Sequence, residues 1–269
     1  MRVGASSAVF YPMVSERALD ELIEIGFKQI EYFFNCDEEI SPSYVRKIME
    51  KIDSAGAHII SVHPFTAFAE SVYFFSEYGR RTEESIRKYK NYFGRASEIG
   101  AKFFTFHGER NIEGFSYDDS KCIPSESSLE SLARLADAAK EYGITLCLEN
   151  VSWCKSANVY YLKKVAEQLG EKIGFTLDLK QALRANAPVR DYINVMGSRI
   201  KNIHVSDHDA ENMCMLPGAG DFNFRGFFDD VGRVGYNGDI IIEVYSNNYK
   251  NKSEIKESKR YLEQIIFQN

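Results

Sequence analysis

Short apolar runs of four to eight residues alternate with longer amphipathic stretches from one end of this chain to the other, which leaves few folds open. The runs are VGASSAVF, QIEYFF, AHIISVH, KFFTFH, ITLCLEN, KIGFTLD, RIKNIHVS and DIIIEVY. They are rich in β-branched and aromatic residues, as strands buried on both faces should be. Between them lie helical patterns. Ser15 precedes ERALDELIEIG, Ser41-Pro42 opens SYVRKIMEKIDSAG, and RRTEESIRKYKNYFGRASEIG and SSLESLARLADAAKEYG follow. A helix, a glycine, one or two residues and a strand recur at Gly26, Gly56, Gly100, Gly143 and Gly170, the αβ-loop signature of repeated β/α units. Eight such units with no Pro/Gly/Ser linker predict one α/β domain over residues 1–269, a (β/α)8 TIM barrel. A doubly wound sheet is the alternative, but no GxGxxG follows the first strand.

Composition narrows the class. No apolar run approaches the ~20 residues needed to span a bilayer, and MRVGASSAVFYP lacks the apolar core of a secretory signal. The five cysteines are odd in number and form no CxxC pair, which points to a reduced, cytoplasmic setting. A net charge of −6 argues against a nucleic-acid partner. The segments after strands 3, 4 and 7 are long and are expected to be loops at the mouth where barrel active sites lie. Of their aromatic residues, Phe65, Phe68, Tyr73, Phe74, Phe75, Phe115 and Tyr117, most are expected to pack on the rim or against a second subunit.

The chemistry is read from what ends each strand. Strand 2 carries Glu31, strand 3 ends at His63, strand 4 at His107, strand 5 at Glu149-Asn150 and strand 6 at Asp178; strand 7 carries His204 and strand 8 Glu243. Asp, Glu and His make up only about one residue in six, so their gathering at strand ends is not a composition effect. Such groups are costly to bury unless paired or bound to metal, and a closed barrel brings them to one mouth. Glu149, Asp178, His204 and Glu243 come from four consecutive strands and could surround one divalent cation, with Mn²⁺ the first expectation and Mg²⁺, Co²⁺ or Zn²⁺ also compatible. Structural ion pairs are the competing account of each residue taken alone.

At these residues the sequence resembles the xylose isomerase-like barrel superfamily, which includes sugar isomerases and epimerases and the endonuclease IV enzymes. The matching segments are SVHP at His63, FHG at His107, LEN at Glu149, TLDLKQA at Asp178, IHVSD at His204, LPGAGDF at Gly218 and Gly220, and GYNGDIIIEV ending at Glu243. The resemblance implies one metal held by Glu149, Asp178, His204 and Glu243, a small carbohydrate substrate, and proton transfer beside a carbonyl, with Glu149 and Glu243 removing and returning the proton. It assigns His63, His107 and Glu31 to substrate hydroxyls or to support of the site. Gln181 stands at the substrate-facing position after strand 6, where the family pattern has His, and Trp153 could wall the pocket. A homo-oligomer is also in keeping with the superfamily.

The departures matter as much. Endonuclease IV requires the His replaced here by Gln181 and an Asp-x-His where this chain has Asn212-Met213-Cys214, so a three-zinc nuclease site is not expected. The ketose epimerases carry an Arg where this chain has Ala210. A dehydratase of an inosose-like or keto-acid substrate and a non-catalytic sugar-binding barrel are the other functions weighed. Asp207, His208 and Asp209 are expected in a solvated loop or in support of His204. The lone Gly218-Ala219-Gly220 is a poor predictor of phosphate binding.

Overall fold

Each apolar run becomes one parallel strand, and the eight close in sequence order into a barrel, β1 next to β8. The computed structural model describes residues 1–268. The strands are β1 (Arg2–Ser6), β2 (Gln29–Phe34), β3 (His58–Pro64), β4 (Phe103–Phe106), β5 (Thr145–Glu149), β6 (Gly174–Asp178), β7 (Ile200–Val205) and β8 (Asp239–Ile242). The helices between them are α1 (Ser15–Ile25), α2 (Pro42–Ala55), α3 (Ala67–Phe74), α4 (Gly79–Glu98), α5 (Glu126–Lys140), α6 (Val159–Leu169), α7 (Leu179–Arg184), α8 (Val189–Met196), α9 (Phe224–Arg233) and α10 (Lys252–Gln268).

Alternation along the strands sorts two layers. Ile30, Tyr32 and Phe34, Phe104 and Phe106, Leu146 and Leu148, and Phe175 and Leu177 are fully buried in the hydrophobic core. Each such side chain contributes about 1.5–3 kcal/mol through burial. The intervening residues face the barrel axis and are largely polar. Glu31, Ser61, Thr105, Thr176 and Asn202 form a buried layer in which Ser61 Oγ and Asn202 Nδ2 donate to Glu31 Oε2 at 2.7 and 2.8 Å. Register shifts before Glu31 in β2 and before Thr176 in β6 adjust this layer, as bulges near barrel sites commonly do.

Several local expectations change. The helix α1 begins at Ser15 itself, with Val14 at the N-cap, because the Ser15 hydroxyl donates to Phe33 O and to Glu39 instead. Ser41 caps α2 as read from Ser41-Pro42. The segment after strand 3 holds a helix, α3, rather than irregular loop. All five cysteines are free. No helix among the described residues is long and apolar enough to cross a membrane.

Candidate metal centre

Three residues at the strand ends, Asp178, His204 and Glu243, each commit one polar atom to the protein and turn the other inward. Asp178, paired directly with His204 across β6 and β7, accepts the Gln181 N–H at Oδ1 (2.8 Å) as the N-cap of α7. Asn150 fixes this corner, bonding the Asp178 main chain from both sides at 2.7 and 3.0 Å. His204 Nε2 lies 2.9 Å from Glu31 Oε2; with Nε2 as the protonated nitrogen, Nδ1 carries a free lone pair toward the centre. Glu243 Oε1 accepts from the Lys180 ammonium at 3.0 Å, and its Oε2 sits 2.7 Å from His204 Nδ1. Asp178 Oδ2 and Glu149 Oε1 lie 3.6 and 3.7 Å from that same nitrogen.

With His204 neutral and its proton on Nε2, Asp178 Oδ2, His204 Nδ1 and Glu243 Oε2 are buried acceptors that have no hydrogen-bond donor among the described residues. Buried acceptors left unsatisfied are costly, and a divalent cation is the species that answers three or four of them at once. Atoms that share an ion at ~2.1 Å lie on the order of 3 Å apart, which the observed spacings approach. The donor set therefore fits a cation. Glu149, Asp178 and His204 also meet the spacing of a metal-binding trio, as do Glu31, His204 and Glu243, and His63, His107 and Glu149.

Above the centre opens a cavity of about 400 Å³, lined by Phe33, His63, His107, Trp153, Gln181 and Tyr245 among others. Glu149 Oε2 faces His107 Nε2 at 3.6 Å and His63 Nε2 at 3.8 Å. His63 stacks on Phe33 with ring centroids 4.1 Å apart, and Trp153 stacks against both His107 and Phe68. Gln181 spends Oε1 on Ser152. Glu31, also expected to reach substrate hydroxyls, has no accessible surface and lies behind His204, so of its two expected roles the geometry keeps support of the ligand. A wider depression of about 550 Å³ at the other end of the barrel, by Met1 and Asn237, contains none of the metal-binding trios.

The pattern characteristic of xylose isomerase-like TIM barrels matches residues 19–265. The chain belongs to this family. Over 98% of its length it is 24% identical to an uncharacterized protein of Methanocaldococcus jannaschii, covering 90% of that protein. It is 23% identical over 86% of its length to a 3-dehydroshikimate dehydratase of Pseudomonas aeruginosa, of which it spans only 36%. Among solved structures, a D-tagatose 3-epimerase-like protein superposes with a TM-score of 0.80 at 20% identity, covering 99% of this chain and 97% of that one. D-psicose 3-epimerase from Clostridium cellulolyticum H10, solved with D-tagatose, gives 0.79 at 14% identity, with 99% of each chain covered. These structural likenesses show the shared barrel.

Within this xylose isomerase-like barrel, two buried residues near the mouth, Lys180 and Glu70, escaped the sequence reading, and a third, Asp207, was expected in a solvated loop or in support of His204. Lys180, two residues past Asp178, turns inward instead of to solvent. Glu70, from α3, accepts the His107 and Gly108 N–H groups at 2.8 and 3.2 Å and lies 3.2 Å from His107 Nδ1, which leaves Nε2 toward Glu149. Asp207 is buried, not solvated: it accepts four backbone N–H groups, from His208, Gly218, Gly220 and Phe222. The Gly218 and Gly220 N–H groups are thus spent on Asp207 and that of Ala219 on Leu216 O, and a Cβ at Gly220 would meet His208 O at 2.4 Å.

Charge at the centre is strongly coupled. Burial opposes a charged His204, but Glu31 and Glu243 outweigh it and hold its proton well above the usual imidazole range. Burial likewise opposes the Lys180 ammonium, and Asp178 and Glu243 keep it charged. For Glu243, burial disfavours the carboxylate while Lys180 and His204 more than offset it. A proton on Nδ1 would bridge it to Glu243 Oε2, 2.7 Å away, and a cation held by Nδ1 would take the place of that proton. Because the proton competes below the raised imidazole pKa, Mn²⁺ affinity is expected to weaken by up to about tenfold per pH unit as pH falls through that range. Calorimetry in buffers of different ionisation enthalpy would check it; affinity independent of pH would exclude a proton-linked His204.

Proposed function

We propose that this barrel is a divalent-metal-dependent isomerase or epimerase of a small sugar, sugar derivative or polyol. The reaction is proton transfer at a carbon beside a carbonyl. The observation that carries this is the set of three unpartnered buried ligand atoms, Asp178 Oδ2, His204 Nδ1 and Glu243 Oε2, beneath a cavity into which Glu149 turns. Glu149, Asp178, His204 and Glu243 would hold the cation, and their mixed oxygen and nitrogen donors favour Mn²⁺ over softer metals. When bound, the cation supplies polarisation of a carbonyl and stabilises negative charge on its oxygen.

The chain's own residues do the rest. Glu149 and Glu243 both line the cavity and are the carboxylates available for the proton. His63 and His107 present Nε2 atoms beside Glu149 and hold substrate hydroxyls in register. Trp153, backed by Phe68, gives an apolar face on which a sugar ring packs. Gln181 closes the wall after β6. The likeness of the barrel to D-psicose 3-epimerase and to a D-tagatose 3-epimerase-like protein supports this reading.

A second reading, a dehydratase, rests on the imidazoles beside Glu149, an acid next to a base as loss of a hydroxyl requires, and on the dehydratase relative. The purified protein is expected to hold about one Mn²⁺ per chain and to move solvent deuterium into a ketose or inosose at the carbon beside the carbonyl. Metal analysis and NMR in D₂O check both. A product lighter by one water favours the dehydratase, and absence of exchange from every ketose and inosose tested counts against the isomerase. Two metals per chain would instead assign His63, His107 and Glu149 as a second site.

A further inference from the structure

The two cavity-lining glutamates are not equivalent, and the difference lies in Lys180. We propose that Lys180 is a built-in counter-cation that pins Glu243 as a fixed, one-oxygen ligand and leaves Glu149 the only ligand carboxylate free to carry a proton; this rests on the metal-dependent proton transfer proposed above.

Lys180 is only 1% exposed, and its Nζ lies 3.0 Å from Glu243 Oε1, 3.6 Å from Asp178 Oδ2 and 3.4 Å from Tyr245 Oη. The ring of Tyr245 closes the remaining side, 4.8 Å from Nζ. A lysine is seldom buried this far without ionic partners, and here both partners are proposed metal ligands. Glu243 consequently has Oε1 held by the ammonium and Oε2 turned to His204. Among the described residues Glu149 has no lysine or arginine against it: its Oε2 meets two imidazole nitrogens at 3.6 and 3.8 Å, beyond a hydrogen bond, at the edge of the cavity.

The charges support the same division. Glu149, Asp178 and Glu243 bring three negative charges; a divalent cation and the Lys180 ammonium together bring three positive ones. The charges of the three ligand carboxylates are matched with Lys180 present and one is left unmatched without it, Glu31 lying apart behind His204. The ammonium therefore competes with an incoming cation for Glu243 and Asp178.

The consequence for the reaction is transfer through one carboxylate on one side of the substrate. Glu149 takes a proton from the carbon beside the carbonyl; the C–H pair becomes a C=C bond and the carbonyl π pair moves to its oxygen. The neighbouring carbon then takes the proton back from Glu149, using the C=C pair. The hydroxyl proton on the carbon that was deprotonated passes to the former carbonyl oxygen, and the new carbonyl forms at that deprotonated carbon. This is an aldose–ketose interconversion, balanced and without redox change. It narrows the proposed function to isomerisation between adjacent carbons, since inversion of one carbon by two opposed bases would need a mobile Glu243.

The test is a titration of metal-free wild-type, Lys180→Met and Lys180→Arg protein with Mn²⁺, followed by the EPR signal of free Mn²⁺. Lys180→Met is expected to bind at least about tenfold more tightly than wild type, because repulsion of a nearby ammonium is removed, and Lys180→Arg to stay within about threefold of wild type. Equal or weaker binding by Lys180→Met, or equally tight binding by Lys180→Arg, overturns the proposal. If Lys180→Met unfolds without metal, Mn²⁺ should restore it and raise its Tm more than that of wild type; failure to fold even with Mn²⁺ also overturns it, since the cation should replace the lost charge. D-tagatose and D-fructose in D₂O test the single carboxylate: label is expected in an aldose product, and a 3-epimer carrying solvent deuterium overturns that part. Absence of any exchange argues against the proposed reaction instead, and the Mn²⁺ titration still decides Lys180.

Discussion

Replacing His204 by alanine is expected to abolish tight cation binding, with bound Mn²⁺ falling from about one per chain to below about a tenth. The reason is geometric. His204 lies between Glu31 on one side and Glu149, Asp178 and Glu243 on the other, with its Nδ1 2.7–3.7 Å from one oxygen of each of the latter three. Its removal deletes the nitrogen donor and leaves Glu31 and three ligand carboxylates in one buried space, with Lys180 the nearest lysine. Stripping one partner from a buried charged network typically costs about 3–5 kcal/mol, so the metal-free variant should also unfold at lower temperature than the metal-free wild type. Metal analysis after dialysis, with a thermal melt of the same sample, reads both. Retention of one Mn²⁺ per chain would move the centre to His63, His107 and Glu149.

Asp207→Ala is expected to be the most destabilising single change outside the centre. Its carboxylate accepts from His208 and Phe222 at Oδ1 (2.8 and 2.9 Å) and from Gly218 and Gly220 at Oδ2 (2.8 and 3.1 Å). Alanine leaves four backbone donors without that acceptor in a loop also anchored by the Asp207–Met215 bridge. Even if water answers some of them, a loss of about 4 kcal/mol follows from the usual cost of stranded donors to a charged acceptor, or roughly 8 °C in Tm for a chain of this size. Asp207→Asn, with one acceptor oxygen left, should fall between. A melt unchanged within about 1 °C would show that the loop does not depend on this side chain.

The barrel and its site were legible in the sequence to different depths. Short apolar runs, five of them preceded by a helix-stop glycine, are local signals, and all eight became strands, some of them shortened as in VGASSAVF, whose second half is a 3-10 turn. Glu149, Asp178, His204 and Glu243 were legible because a strand fixes where its last residues emerge. The helix α3 was not, since AFAESVYF is apolar nearly all round and lacks a polar face to mark its period. Lys180 was hidden for another reason: a lysine in the first turn of a helix ordinarily belongs to solvent.

What the sequence by itself determined is the eight-fold β/α repeat and the row of carboxylates and imidazoles at its strand ends, because periodicity and chain order follow from neighbouring residues. The tertiary structure decided which atom of each side chain is spent and which is free. Glu31 holds His204 from 173 residues away, Lys180 holds Glu243 from 63, and Glu70 holds His107 from 37. Those partnerships exist only once the barrel closes and brings distant strand ends within hydrogen-bond range, a through-space condition that local spacing does not encode.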